Sequence, residues 1–379
     1  MKGLRFISVF VILLLLSGCL KTNVLERLSI LVAIGYDAKE DNTFKVTAAL
    51  MESQPDVKDM NRTVSVDAAT SKGARRKMNE MLPHEIANGQ LRVILLDRNI
   101  FRLKMLNEVD VLSRDPAFGD MVMVAIVDGS VQDLLTYPYK NKSNIGVTVN
   151  SLLDHNMKWN WGPLMTLHEF THSRDIHTKE LAIPMMKREG EEIALKGVAL
   201  LHGDHIVGEA TPREGYFLKT MKGEKTSFLY ETVIKKSAMQ ASGMAQFLAM
   251  NDGKDEVKVV FHVIQSKGTI KLLDSQNIKF DVNLHIDMDI QEISERYSFE
   301  KTGAVEALKR QLSKELTAHL QQFLDKLRKV NSDCVGFGEK YRSLVPHTKL
   351  ENEKWREAFP KSSIQGRVDI DIIRTGTIE

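Results

Sequence analysis

Ile278-Lys279-Phe280-Asp281-Val282-Asn283-Leu284-His285-Ile286-Asp287-Met288-Asp289-Ile290 alternates apolar and polar side chains without a break. Period two puts every apolar residue on one face of a strand and leaves the other face to water, the pattern of a half-exposed antiparallel sheet. The strand is expected over 278–293, with partners at 257–264 and 268–273. Further on, Val305, Leu308, Leu312, Leu316, Leu320, Phe323 and Leu327 step by three or four. That spacing predicts a long amphipathic helix over 302–329 with Thr302 as its N-cap. Strand and helix each leave one greasy side, so they should pack together, with Leu316 buried and Lys314 exposed. The fold class read from this is α+β, with a C-terminal antiparallel sheet packed against a long helix.

Toward the N-terminus, helices and strands interleave. Strands are expected at 28–36, 44–50, 64–66, 91–97 and 121–127. Helices are expected from an Asp67 N-cap to about Leu82, from Asn99 to the Asp115-Pro116 stop, and over 131–135. Residues 144–161 read as irregular, and Trp159 and Trp161 within them as packing residues. A short strand, 181–185, contains Pro184. His202-Gly203-Asp204 reads as a hairpin turn, flanked by two solvated histidines, His202 and His205. This N-terminal half is mixed α/β.

The chain has 379 residues, 43 % of them apolar, and a net charge of +2. That suits a globular protein of two or three domains and argues against a dedicated nucleic-acid binder. Its first 19 residues are a separate element. Lys2 and Arg5 precede an apolar run to Leu16, too short to span a bilayer as a helix. Leu16-Ser17-Gly18-Cys19 resembles the lipobox of bacterial lipoproteins, with cleavage expected between Gly18 and Cys19 and lipid on the Cys19 thiol. Two acyl chains would hold such a protein stably on a membrane, through a polar tether at 21–27. The domains expected are a signal at 1–18, an N-terminal domain at 19–190 and a C-terminal domain at 191–379. The chain has two cysteines. With Cys19 lipidated, Cys334 has no partner, and the fold must rely on its cores.

A set of landmarks runs the length of the chain. After the lipobox come Glu26, a strand closed by Gly35 and Asp37, a helix ending Leu112-Ser113-Arg114-Asp115, and the strand 121–127. Near the other end stand Asp333-Cys334-Val335-Gly336-Phe337-Gly338, then Tyr341-Arg342, Trp355, Phe359-Pro360, an alternating strand at 368–372, and Arg374-Thr375-Gly376. This order resembles the Ger(x)C family, the C-type lipoprotein subunits of spore germinant receptors. One departure is Leu20-Lys21, where the family often has Trp-Asp. The resemblance implies a non-enzymatic subunit on the outer face of the spore inner membrane. It further implies partnership with A-type and B-type integral membrane subunits, a role in the response to nutrient germinants, and no cofactor.

Three patterns point elsewhere. His168-Glu169-Phe170-Thr171-His172 is a literal H-E-x-x-H, the helix motif of zinc peptidases, with Glu189, Glu191 or Glu192 as a third ligand. Its polar continuation Ser173-Arg174-Asp175 and the preceding Gly162-Pro163 are unlike the buried helix such a site needs. The expectation is therefore no metal, with a membrane-tethered zinc metallopeptidase as the alternative function. Asp281, Asp287 and Asp289 line one strand face but lack a loop to gather them round calcium. Gly336-Phe337-Gly338 lacks the context of a phosphate loop; its glycines should allow a tight turn and Phe337 should enter the core. A solute-binding lipoprotein is the third reading, disfavoured because two similar lobes are not evident.

Overall fold

The computed structural model describes residues 28–52, 61–106, 111–114, 118–140, 144–159, 161–175, 179–224, 226–249, 255–345 and 352–375. Cys19, the signal and the 21–27 tether lie outside them. Among the described residues, no helix is long and apolar enough to cross a membrane.

The first sheet is built on three unbroken apolar strands: β1 (Leu28–Ala38), β5 (Val93–Asp97) and β6 (Met123–Val127). Runs of this kind are buried on both faces, and they pair in parallel, as such strands do. Antiparallel wings flank them. One is β2 (Phe44–Glu52) and β3 (Asn61–Ala68); the other is β7 (Ala182–Glu189), β8 (Glu192–His202) and β9 (His205–Ala210). The order is β3-β2-β1-β5-β6-β7-β8-β9, with the short β4 (Glu85–Ala87) also on β1.

The helices of this half differ in detail from the sequence expectations. Helix α1 (Ser71–Met81) is capped by Thr70, whose Oγ1 accepts from Gly73 N at 3.0 Å. Asp67 instead stays in β3, because that ladder runs on to Ala68 and Lys39 and Lys45 hold its carboxylate at 2.8 and 3.1 Å. Helix α2 (Arg98–Arg102) is one short piece, capped by Asp97 and followed by Lys104 with φ +58°. Of the apolar residues expected on one long helix, Ile100 and Leu106 are buried and Leu103 is half-buried, while Val109 lies outside the described residues.

Helix α3 (Val131–Thr136) forms as expected. It lies so close to β1 that a Cβ on Gly35 would stand 2.0 Å from Val131 Cγ1. Asp37 then caps it, accepting from Val131 N and Gln132 N at 2.7 and 2.8 Å. Most of the stretch read as irregular is a helix: α4 (Ile145–Trp159) is preceded by Asn144, whose Oδ1 accepts from Val147 N. Ile145, Val149, Leu153 and Met157 are buried at every fourth position, a helical period the sequence reading passed over. Helix α5 (Leu167–Asp175) carries the H-E-x-x-H.

A capped helix, α6 (Pro212–Met221), leads to the second sheet, β10 (Phe228–Lys235), β11 (Glu256–Asp274), β12 (Lys279–Ile293) and β13 (Ser363–Arg374), in that order. Between β10 and β11 lies α7 (Lys236–Ser242). Phe280, Val282, Leu284, Ile286, Met288 and Ile290 are all buried, as the alternation requires. The two strands expected at 257–264 and 268–273 are one, β11. Register shifts near Ile264 break its alternation, which is why it read as two. Three strands are antiparallel; β13 joins β12 in parallel.

The long helix is α8 (Ala304–Lys329), starting after Gly303 at φ +86° rather than at Thr302. Leu308, Leu312, Leu316, Leu320, Phe323 and Leu327 are each 0 % exposed, while Val305 is half-buried and Ala304 and Ala307 take its place. The helix runs along β13. A Cβ on Gly366 would meet Leu320 and Leu324 at about 3 Å, so the close approach needs glycine. Side chains on α8 also satisfy the open edge of β13. Thr317 Oγ1 accepts from Val368 N at 3.0 Å, and Gln321 Oε1 from Gly366 N at 2.9 Å; Ser313 Oγ donates to Val368 O. A covered edge offers no template for stray strands.

The β7–β9 wing belongs to the first sheet but packs into both cores. Along β8, Ala199 and Leu201 enter the first core while Val198 and Leu200 enter the second. The sequence boundary at residue 190 falls on the β7–β8 turn, inside one sheet; the chain changes sheet between Ala210 and Phe228.

Candidate site at the junction of the two sheets

After α8 the chain turns sharply at Asp333 into α9 (Phe337–Leu344), and beyond it α10 (Asn352–Ala358) leads back to β13. Asp333 is 2 % exposed and its carboxylate is surrounded by donors. Gly336 N and Phe337 N donate to Oδ1 at 2.9 Å each; Gly338 N and Trp355 Nε1 donate to Oδ2 at 2.8 and 2.9 Å. Burial pushes this carboxyl up to about 6 against the pull of the four donors. Gly336 sits at φ +95°, a conformation that favours glycine, and Phe337 is fully buried. The neighbouring Cys334 thiol is buried too, and burial, with the adjacent carboxylate, pushes it up to about 12, so it is neutral and inert.

The backbone of Asp333 reaches the other sheet, accepting from Glu180 N at 3.0 Å. Glu180, just ahead of β7, is 7 % exposed and joins both halves. Its Oε1 accepts from Arg356 Nε on α10 at 2.6 Å; its Oε2 accepts from Gly203 N at the β8–β9 turn at 2.7 Å. The turn is tied down again where His202 Nδ1 meets Asn331 O at 2.7 Å and Asn331 Nδ2 donates to Arg356 O at 2.9 Å. The hairpin expected at His202-Gly203-Asp204 thus forms, but His202 is half-buried against the second domain rather than solvated; His205 is exposed.

The H-E-x-x-H lies beside this junction. His168 and His172 are exposed and stack with ring centres 5.6 Å apart. Glu169 turns the other way, to Lys179 at 2.7 Å and to Lys222 after α6 at 3.5 Å. Burial pushes its carboxyl up, but the two lysines more than reverse this and hold it below the usual value. Lys222 also pairs with Glu224 at 3.3 Å, and Glu224 accepts from Leu164 N. Through these pairs Glu169 ties α5 to the link to the second sheet. None of Glu189, Glu191 or Glu192 is gathered with the histidines in a metal-ligating group.

Elsewhere, Trp161 is buried in the second core, with Gly215 of α6 against its ring. The three aspartates on β12 do not converge. Asp281 pairs with Arg367 at 2.9 Å, while Asp287 meets His285 at 3.2 Å, and His285 also reaches Asp371 of β13. Lys309 on α8 already neutralises Asp371 at 2.7 Å. Glu180, Asp333 and Arg356 were not singled out for a role from the sequence. Only the proximity of Asp333 to Gly336-Phe337-Gly338 hinted at a capped turn.

Residues 21–188 match the family described as Spore germination protein N-terminal domain, and residues 196–376 match Spore germination B3/GerAC like, C-terminal. The chain is 20 % identical over 377 residues to the spore germination protein GerQC of Bacillus cereus, covering 99 % of each. Its fold is shared with a crystal structure of the GerBC protein, at TM-score 0.52 and 16 % identity, over 90 % of this chain and 96 % of that one. With both domains matched in order over nearly the whole chain, the chain belongs to the Ger(x)C family of spore germination proteins.

Proposed function

We propose that this chain is the lipid-anchored, non-enzymatic C subunit of a spore germinant receptor, required for the response to nutrient germinants. The observation that carries the reading is the match of both germination domains across nearly the whole chain. The use of Glu169 and Glu180 in ion pairs that brace the junction supports a scaffold rather than a catalyst. Cys19 carries the lipid after cleavage between Gly18 and Cys19, on the outer face of the spore inner membrane. There the protein assembles with the A-type and B-type integral membrane subunits.

The test is a strain lacking this chain, challenged with amino acids, sugars and salts. Germination with at least one nutrient should fail and return with the wild-type gene. A Cys19→Ala protein should lose label from a palmitate analogue and leave the membrane fraction. Unchanged germination with every nutrient refutes the receptor role, and label retained by the Ala variant refutes the anchor. For the zinc-peptidase alternative, the purified protein should hold no stoichiometric zinc. One tightly bound zinc per chain, with proteolysis abolished by Glu169→Gln, would establish that reading instead.

A further inference from the structure

A cleft of about 450 Å³ opens where the β8–β9 turn faces α10 and the end of α5. Four cationic side chains reach it from four separate segments: Lys104 after α2, Arg174 on α5, Lys179 before β7 and Arg356 on α10. Two carboxylates, Glu180 and Asp204, line it as well. Both are engaged. Glu180 is buried under Arg356 Nε and Gly203 N, and Asp204 lies 3.5 Å from Arg174. The Arg356 guanidinium lies over Gly203 with its Nη groups at the cleft, since a Cβ there would stand 3.4 Å from Nη2. Lys104 is exposed at its rim. Three of the four cations are offset by carboxylates, Arg356 by Glu180, Arg174 by Asp204 and Lys179 by Glu169 at 2.7 Å outside the cleft lining, which leaves one cation in excess; the fork-shaped guanidinium groups still present Nη donors at the cleft, and these suit oxyanions. The volume is that of a small-molecule site.

We propose that this cleft binds a small free dianion, an orthophosphate or a short dicarboxylate, between the two sheets. Because Arg356 belongs to the second half and Lys104 and Arg174 to the first, the anion bridges them. The proposal does not depend on the receptor reading.

The test is calorimetric titration of the purified full-length chain with sodium phosphate and with succinate, against sodium chloride at matched ionic strength. Phosphate or succinate should saturate one site per chain. The affinity should fall at least fivefold in Lys104→Gln and in Arg174→Gln, both checked for native circular dichroism. It should be unchanged in Lys258→Gln, which lies on the far sheet. Absence of saturable binding by either anion overturns the proposal, as does a smaller loss in either cleft variant. Vesicles of phosphatidylcholine with phosphatidic acid form a separate arm. Cleft-dependent binding to these, with none to free anion, would assign the site to a lipid headgroup and overturn a free-anion site.

Discussion

Where α8 packs into the second core, the contact is made by Leu308, Leu312, Leu316 and Leu320, all fully buried. Where the two sheets meet at the β8–β9 turn, it is made by Glu180, Arg356, Asn331 and the backbone of Asp333. The first seam is apolar and non-directional, so its strength grows with buried area and tolerates small shifts. The second is polar and directional. Each bond adds little over water, but removing one partner strands another in a dry place. The two seams therefore do different work. The leucine seam holds the C-terminal half together, and the polar one sets how the halves are oriented.

Mutations should separate them. Asp333→Ala leaves four buried N–H donors without an acceptor and should cost about 4–5 kcal/mol. Denaturant melts of the protein would show it, and a loss under 2 kcal/mol would mean that water replaces the carboxylate. Leu316→Ala, in the middle of the stripe, should cost about 3 kcal/mol through lost burial and a cavity. Lys314→Ala, exposed on the same helix, should cost less than about 0.5 kcal/mol. If these two melt alike, the leucine seam does not bear the load ascribed to it.

Glu180→Gln keeps the shape of the second seam but removes the charge facing Arg356, and should cost about 2 kcal/mol. Its sharper signature is local: proteolysis at the β8–β9 turn should rise before global unfolding. Uniform protection would show that the turn is held by His202 and Asn331 alone. Glu169→Gln should cost less than Glu180→Gln, about 1 kcal/mol at neutral pH. Since the lysines hold the Glu169 carboxyl below its ordinary value, its stabilisation is present above the unfolded value near 4.5 and is lost as pH falls through the folded one. Wild type and variant should therefore differ at pH 7 and converge in acid. A gap that persists below the folded value would place the effect in packing rather than in charge.

The two seams were also unequally legible. The leucine stripe and the alternation in β12 are local repeats, and both predicted burial correctly except at their first residues, Val305 and Ile278, which are half-buried. Errors clustered where a local signal was ambiguous or interrupted. Asp67 looks like a cap but is held in β3 by Lys45 of β2 and Lys39 of the β1–β2 turn, and the bulge near Ile264 hid the continuity of β11. At the junction, the H-E-x-x-H and the His202 turn were both located. What they do depends on partners remote in sequence: Lys222 for Glu169 and Asn331 for His202.

By itself, the sequence determined the type and buried face of strongly periodic elements such as β12 and α8, though not α4, because helix and strand periods are short-range properties of the backbone. It also carried the order of landmarks by which the family is recognised. Only the tertiary structure decided that β13 runs parallel to β12 and that the β7–β9 wing serves two cores. It alone decided that Glu180 meets Arg356, 176 positions away. No period links such a pair. Their contact exists because folding removes water from both groups at once, and each is then the nearest partner the other has.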